Sequence, residues 1–313
     1  MYTIPPKKMV IINILDILKK YSDMDHRLTQ AQIIEILKKE YYMDVDRRTV
    51  KRNLMNLLDF DFGIDYTEII KKNEKGEEIP ICTDWYITRE FDDSEIRLLI
   101  DSVLFSKTIP QKQCKKLIDK LKGLSNIYFE KKVNHICSLP EIRPENKELF
   151  YTIDVLDEAI SKGKKVSFIY NSYGTDKKLH PKREREYVIN PYQMVATNGR
   201  YYLICNYDKY DTLSNYRIDR ITGIKMMNEK RKSIKELKEG EINLPKHMAE
   251  HLYMFAGESI RVKFKAKNYI IDQIIDWFGF GPKITKQDED TCMVEVEVNE
   301  EAFFHWAMQY GLH

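Results

Sequence analysis

The chain has 313 residues, 43% hydrophobic and 32% charged, with a formal net charge of +2. That length predicts about two to four folding units, and so small a net charge excludes binding of nucleic acid through bulk charge, so any basic surface must be local. Five scattered cysteines (82, 114, 137, 205 and 292) with no CxxC pair exclude a zinc ribbon and a disulfide framework, and imply a reducing, cytoplasmic setting.

At the start, MYTIPPKK is followed by no long apolar run, because Asn13 and Asp16 interrupt Met9 to Leu18; neither a signal peptide nor a membrane span is predicted. From Lys8 to Tyr21 the apolar residues Val10, Ile11, Ile14, Leu15, Ile17 and Leu18 recur at helical spacing. Thr29 can cap a second helix, Gln30 to Lys39, that buries Ile33, Ile34 and Leu37. Asp46 can cap a third, Arg47 to about Leu58, with Val50, Leu54, Leu57 and Leu58 facing inward. Three short helices followed by strand-like runs Tyr66 to Lys71 and Ile81 to Thr88, with a turn at Asn73-Glu74-Lys75-Gly76, predict a winged helix-turn-helix. Asp92 to Ser106, Gln111 to Leu121 and Ile127 to Ile136 predict a helical connector, which Leu139-Pro140 and Arg143-Pro144 break.

Beyond that break, Lys147 to Ser161 predicts a helix leading into a strand at Lys165 to Tyr170. A turn at Ser172 to Asp176 precedes a basic strand, Lys177 to Tyr187. Strands at Gln193 to Ala196 and Tyr201 to Cys205 flank Asn198-Gly199, a type I′ hairpin signal. A later strand ends in Tyr216-Arg217-Ile218-Asp219-Arg220, whose alternation puts Tyr216, Ile218 and Arg220 on one face, Arg217 and Asp219 on the other. Asn228 to Gly240 is charged and predicts an exposed linker. Ser259 to Ala266, Tyr269 to Phe278, Lys283 to Gln287, Cys292 to Val298 and Glu300 to Gln309 follow a βαββα order, suggesting a ferredoxin-like layer. Such a unit normally adds one more strand, so the tail is expected to be truncated or completed by a partner chain.

The expected fold is therefore an α+β multidomain chain. Residues 1–89 form the winged helix-turn-helix, 90–145 the connector, 146–230 a small sheet domain and 231–313 a C-terminal domain.

The third helix carries the strongest chemical signal. Arg47, Arg48, Lys51 and Arg52 place four cations in six positions. A recognition helix reaches base edges with its first turns while lysines and hydroxyls hold phosphates. Arg47, Arg48 and Arg52 are therefore expected near bases, and Thr49 and Lys51 on phosphate. The segment resembles the recognition helix of DeoR-type winged-helix repressors, with Asp46 where serine is commoner. The wing, Lys71 to Glu78, carries three lysines and three acids and suits either a backbone contact or a plain hairpin tip.

In the second half, Arg183 and Arg185 in the run His180 to Glu186, together with Arg217 and Arg220, could line an anionic site on a sheet rich in tyrosine. The alternative for each arginine is a salt bridge with a neighbouring acid. Asn-Pro-Tyr at Tyr192, Tyr201-Tyr202-Leu203 and Tyr216-Arg-Ile-Asp-Arg-Ile221 resemble the sensor module of WYL-domain transcriptional regulators over about Lys165 to Met227, with Tyr201 replacing the namesake tryptophan. The resemblance implies a small, Sm/SH3-like β-barrel that senses a nucleotide or single-stranded nucleic acid, with Tyr192, Tyr202, Arg217 and Arg220 at the ligand. It further implies a homodimer whose C-terminal extension serves oligomer contact or closes over a neighbour's sensor site.

Together these features predict a regulator that binds double-stranded DNA, with no cofactor, no metal and no enzymatic activity. The rival is an accessory protein that binds single strands and modulates a nucleic-acid enzyme. His247-Met248-Ala249-Glu250-His251 does match H-x-x-E-H, but no third ligand helix follows. Gly279-Phe280-Gly281-Pro282 fits a helix stop rather than a phosphate loop.

Overall fold

A computed structural model describes residues 7–72, 76–133, 146–238 and 240–311. The expected wing tip at 73–75, the proline breaks between 139 and 144, and the last residues of the helix expected to reach Ile136 lie outside the described residues. The chain divides into two compact units: residues 1–105 with 111–141, and residues 106–110 with 142–313.

The first unit opens with α1 (Val10–Tyr21), α2 (Gln30–Tyr41) and α3 (Arg47–Asp59), then the hairpin β1 (Ile64–Lys72) and β2 (Glu78–Ile87). The helices form where the periodicity predicts, because one face of each is apolar: Val10, Ile14, Ile17, Leu18, Ile33, Leu37, Val50, Leu54 and Leu57 share a buried cluster with Trp85. Thr29 caps α2 in a reciprocal capping box with Gln32. Leu28 exchanges both backbone hydrogen bonds with Trp85, each 2.8 Å, so the segment before α2 joins the hairpin as a one-residue bridge.

Three more helices, α4 (Asp93–Phe105), α5 (Gln111–Lys122) and α6 (Ile127–Lys132), pack around Ile96, Ile100 and Phe129. Asn126 caps α6, and its side-chain amide donates 2.5 Å to Asp23 near the end of α1.

The second unit holds a curled antiparallel sheet under α7 (Leu149–Lys162). Its strands are β3 (Lys164–Tyr173), β4 (Leu179–Pro181), β5 (Tyr187–Thr197), β6 (Arg200–Asn206), β7 (Leu213–Arg217) and β8 (Ile221–Lys230). The order is β4-β3-β5-β6-β7, with β8 paired to β3. Asn198 and Gly199 both have positive φ, 51° and 72°, as a type I′ turn requires. The inner face buries Phe168, Ile189, Leu203, Cys205 and Ile218 against Leu156 and Ala159 of α7.

Three expectations for this unit are corrected. Of the strand expected over Lys177 to Tyr187, Leu179–Pro181 form β4, residues 182–185 are bends, and Tyr187 begins β5. Pro181 lacks the N–H that would extend the ladder, and the five charged residues after it bury nothing. Arg183 and Arg185 therefore lie in a bend and not on a strand of the sheet. The strand expected to end at Arg220 stops at Arg217, and Ile218–Arg220 form one 3-10 turn that buries Ile218 and Asp219. The expected linker Asn228 to Gly240 is ordered over residues 228–238. Its first residues complete β8, Ser233 and Glu236 form a capping box around Ile234–Glu236, and Leu237 is buried against the outer face of the sheet. Ile234 and Leu237, three residues apart, supply the apolar side of an otherwise charged run.

The C-terminal part comprises α8 (Leu244–Glu250), β9 (Ser259–Lys267), α9 (Ile271–Phe278), β10 (Lys283–Lys286), β11 (Thr291–Asn299) and α10 (Glu300–Tyr310). The βαββα order is as expected, and the sheet runs β10-β11-β9. One face packs Val294, Val296 and Val298 against Ile274, Phe278 and Trp306. Gly279 ends α9 with φ of 68°.

Candidate nucleic-acid interface

Helix α3 is held at its start by Asp46, whose carboxylate accepts from the Thr49 N–H at 2.9 Å and the Thr49 hydroxyl at 2.8 Å. With Val50, Leu54 and Leu57 buried, Arg48, Lys51 and Arg52 are turned to solvent. Among the described residues, none of these three has a carboxylate within ion-pair distance. Arg47 is also exposed, but its Nε donates 3.0 Å to Gln30, which ties it to the first turn of α2. The Thr49 hydroxyl donates to Asp46, so donation to a phosphate would require that bond to break.

The Thr49 backbone N–H, then its hydroxyl, hold the Asp46 carboxyl below its ordinary 3.8. A carboxyl with a depressed folded pKa contributes stability above its unfolded value and loses it as pH falls through the folded one. Asp46→Ser keeps a cap but removes that titration. The variant is expected to show a shallower acid loss of stability below about pH 4 in urea unfolding at a series of pH values.

On the curled sheet, the six residues expected at one effector site separate into groups. Tyr192 and Tyr202 are buried on the outer face with Val195, Ile204 and Leu213, under Leu237 and Met254. The Tyr192 hydroxyl donates 3.0 Å to the Lys232 carbonyl, Arg231 lies 5.3 Å over its ring, and burial pushes its pKa up to about 12. Arg217 stands opposite Tyr202 in the ladder, and its guanidinium grips Asp219 in two-point fashion, Nε to Oδ1 at 3.0 Å and Nη2 to Oδ2 at 2.6 Å.

A second group surrounds Tyr170. The rings of Tyr170, Tyr187, Tyr216 and Phe168 contact one another at 4.8 to 6.5 Å. The Arg217 N–H donates to the Tyr170 hydroxyl at 3.3 Å. The Arg183 guanidinium lies 3.3 Å over Tyr187 and 5.2 Å from Tyr207. Arg220 lies 5.9 Å from Tyr173, and its buried Nε has no hydrogen-bond partner among the described residues. Arg185 is exposed in the bend after β4. Sequence reasoning missed Tyr170, Tyr187, Tyr207, Tyr216 and Arg231. For Arg217 the structure shows the alternative reading, a salt bridge with a neighbouring acid, formed with Asp219 across a 3-10 turn rather than along a strand.

The H-x-x-E-H segment lies at the end of α8. His247 and His251 stack at 4.2 Å, Glu250 accepts from the Ser259 hydroxyl, and the described residues contain no group of three or more candidate ligands. Burial first, then the neighbouring His251, lower the pKa of His247 from 6.5 to about 4. The folded chain therefore keeps this ring neutral where the unfolded chain takes up a proton, so stability is full above about pH 6.5 and falls toward pH 4. His247→Gln is expected to flatten that part of the stability profile, measured by thermal melting across the same pH range.

No helix among the described residues is long and apolar enough to cross a membrane. No curated protein matches the chain. Among solved structures, proteasome accessory factor B/C (PafBC) of Arthrobacter aurescens matches at 11% identity with a TM-score of 0.31, over 99% of this chain. The chain spans 48% of the length of that protein. Residues 151–226, from α7 through most of β8, match the family model of the WYL domain.

Proposed function

We propose that this chain is a homodimeric transcription regulator that binds duplex DNA through α3, in a winged helix-turn-helix, and senses an anionic ligand on its WYL-like sheet. The carrying observation is the set Arg48, Lys51 and Arg52, exposed on a capped helix whose opposite face is fixed in the core. Cations left without carboxylate partners on a rigid helix suit phosphate and guanine, which supply both affinity and readout. Lys71 and Lys72 at the end of β1 are exposed, as backbone contacts from a wing would require.

The ligand reading is supported by the tyrosine cluster rimmed by Arg183, Arg217 and Arg220. A guanidinium over an aromatic ring, together with a buried guanidinium nitrogen that lacks an acceptor, suits a phosphate with a base stacked beside it. A nucleotide or short single strand bound there would shift the population between two arrangements of the dimer, and so the spacing of the two α3 helices on a two-fold operator. The matched WYL domain and the regulator family that the sequence resembles agree with this reading.

The test is a gel shift of the full chain on the DNA upstream of its own gene, with and without short single-stranded oligonucleotides. Duplex retention that the oligonucleotide changes supports both halves. Retention of the single strand alone, with no duplex complex, favours an accessory protein instead.

A further inference from the structure

Strand β10 is too short to pair the whole of its neighbour. It meets β11 from Lys283, opposite Glu295, to Lys286, opposite Cys292. Strand β11 continues to Asn299 against β9. Among the described residues, β11 beyond Glu295 therefore has a strand partner on its β9 side alone. A cavity of about 620 Å³ opens at this step. Its walls are α8, the turn from Gly279 to Pro282, and the strand residues Arg261, Lys283 and Glu297. That volume lies within the roughly 300–1,000 Å³ of sites that enclose small ligands.

Charges of both signs line this cavity. Lys246 and Glu250 pair with each other at 3.4 Å along α8, and the Ser259 hydroxyl donates 3.0 Å to Glu250. Glu295 is engaged by Lys263 at 3.0 Å. Among the described residues, Arg261, Lys283 and Glu297 have no ion pair. Two cations and one carboxylate on one cavity suit a ligand that carries a carboxylate and an ammonium, and Arg261 offers the planar fork that a carboxylate fits. The apolar part of the wall includes buried Phe278 and Val296. Phe280 lines the same cavity yet is 92% exposed. It stands between Gly279 and Gly281, both of which face open space. Glycine on either side lets this ring turn, and covering a ligand would take it out of water.

We propose that this cavity binds a short peptide with free ends and an apolar side chain. Its carboxylate would sit on Arg261 and Lys283 and its ammonium on Glu297. Its backbone would run along the side of β11 that β10 leaves unpaired, Val296 to Asn299, which limits the ligand to about four residues. Its apolar side chain would lie under Phe280. This site is independent of the DNA-binding reading and of the ligand proposed for the curled sheet.

The full chain is titrated by isothermal calorimetry with the tripeptide Val-Phe-Val, with its N-acetylated form, with its C-amidated form, and with free phenylalanine. The free-ended tripeptide is expected to bind at least about tenfold more tightly than any of the other three, because each cap removes a charge-assisted hydrogen bond. Arg261→Ala with Lys283→Ala, both exposed and checked for folding by circular dichroism, is expected to weaken the free-ended peptide until it binds no better than the amidated one. The amidated peptide itself should bind this variant and the parent chain alike. Phe280→Ala is expected to weaken the free-ended tripeptide by about tenfold. Failure of the tripeptide to bind at millimolar concentration overturns the proposal. So do caps that change nothing, which mean adhesion to the apolar wall alone. Equal losses for the free and amidated peptides in the Arg261, Lys283 variant mean a general loss of charge and also overturn it. Free phenylalanine that binds as tightly as the tripeptide makes this an amino-acid site. Displacement of the tripeptide by a single-stranded oligonucleotide makes it a nucleic-acid site; either result overturns the proposal.

Discussion

Arg48→Ala combined with Arg52→Ala is expected to abolish duplex binding while leaving the fold and any oligonucleotide binding by the sheet intact. Both side chains are exposed, neither has a carboxylate partner among the described residues, and the helix that carries them is fixed by Val50, Leu54 and Leu57. Their removal therefore takes nothing from the core. An arginine held two-point on guanine contributes about 1–3 kcal/mol of discrimination, so the pair is worth roughly 2–6 kcal/mol, or about 30-fold to 20,000-fold in affinity. The control is Lys38→Ala with Lys39→Ala, two exposed cations at the end of α2. It removes the same charge, so it separates a placed contact from a general loss of positive potential. Fluorescence anisotropy on a labelled operator duplex checks both. If the two double variants lose affinity equally, α3 is not the reading element.

The second large effect is on stability. Asp219→Ala is expected to destabilise the curled sheet by about 3–5 kcal/mol, because it leaves the Arg217 guanidinium largely buried with no counter-charge. The Asp219 side chain is 1% exposed and that of Arg217 13%, so water cannot replace the lost bond without opening the turn. The same turn is pinned from α7's side by Asn146, whose amide donates to the Asp219 and Ile221 carbonyls at 3.1 and 2.7 Å. Arg217→Met with Asp219→Leu removes both charges and is expected to recover most of the loss. Urea unfolding checks the series. A loss under about 1 kcal/mol for Asp219→Ala would place this pair among solvent-screened surface bridges.

How far the sequence carried the fold depended on whether a signal was local. Helices α1 to α3 were legible because each buries one face at a spacing of three or four residues, and because Thr29 and Asp46 announce their starts. The hairpin at Asn198-Gly199 was legible because both turn residues need positive φ. The run Lys182 to Glu186 misled, since alternating charge signs mimic a strand where no residue is buried. Arg217 and Asp219 misled in the opposite sense: the side chains meet, but across a 3-10 turn rather than along a strand.

The exposed cations of α3 could be listed from one segment. The tyrosine cluster could not, because Tyr170, Tyr187 and Tyr216 come from β3, β5 and β7 and meet only through long-range pairing and the curl of the sheet. The burial of Tyr192 under the 231–237 segment was hidden for the same reason: a charged run gives little sign that Arg231, Lys232 and Leu237 fold back onto the sheet.

The central claim is that α3 reads duplex DNA, and the most direct measurement is the salt dependence of binding on duplex and single strand side by side. Each neutralised phosphate contributes about −0.9 to the slope of log K against log salt on duplex DNA. The expected result is a slope of about −3 or steeper on the duplex, a clear preference for one duplex sequence over a scrambled one, and a slope shallower by about 2 in the Arg48→Ala, Arg52→Ala variant. A preference for single strands, with a duplex slope that the double substitution leaves unchanged, would contradict it.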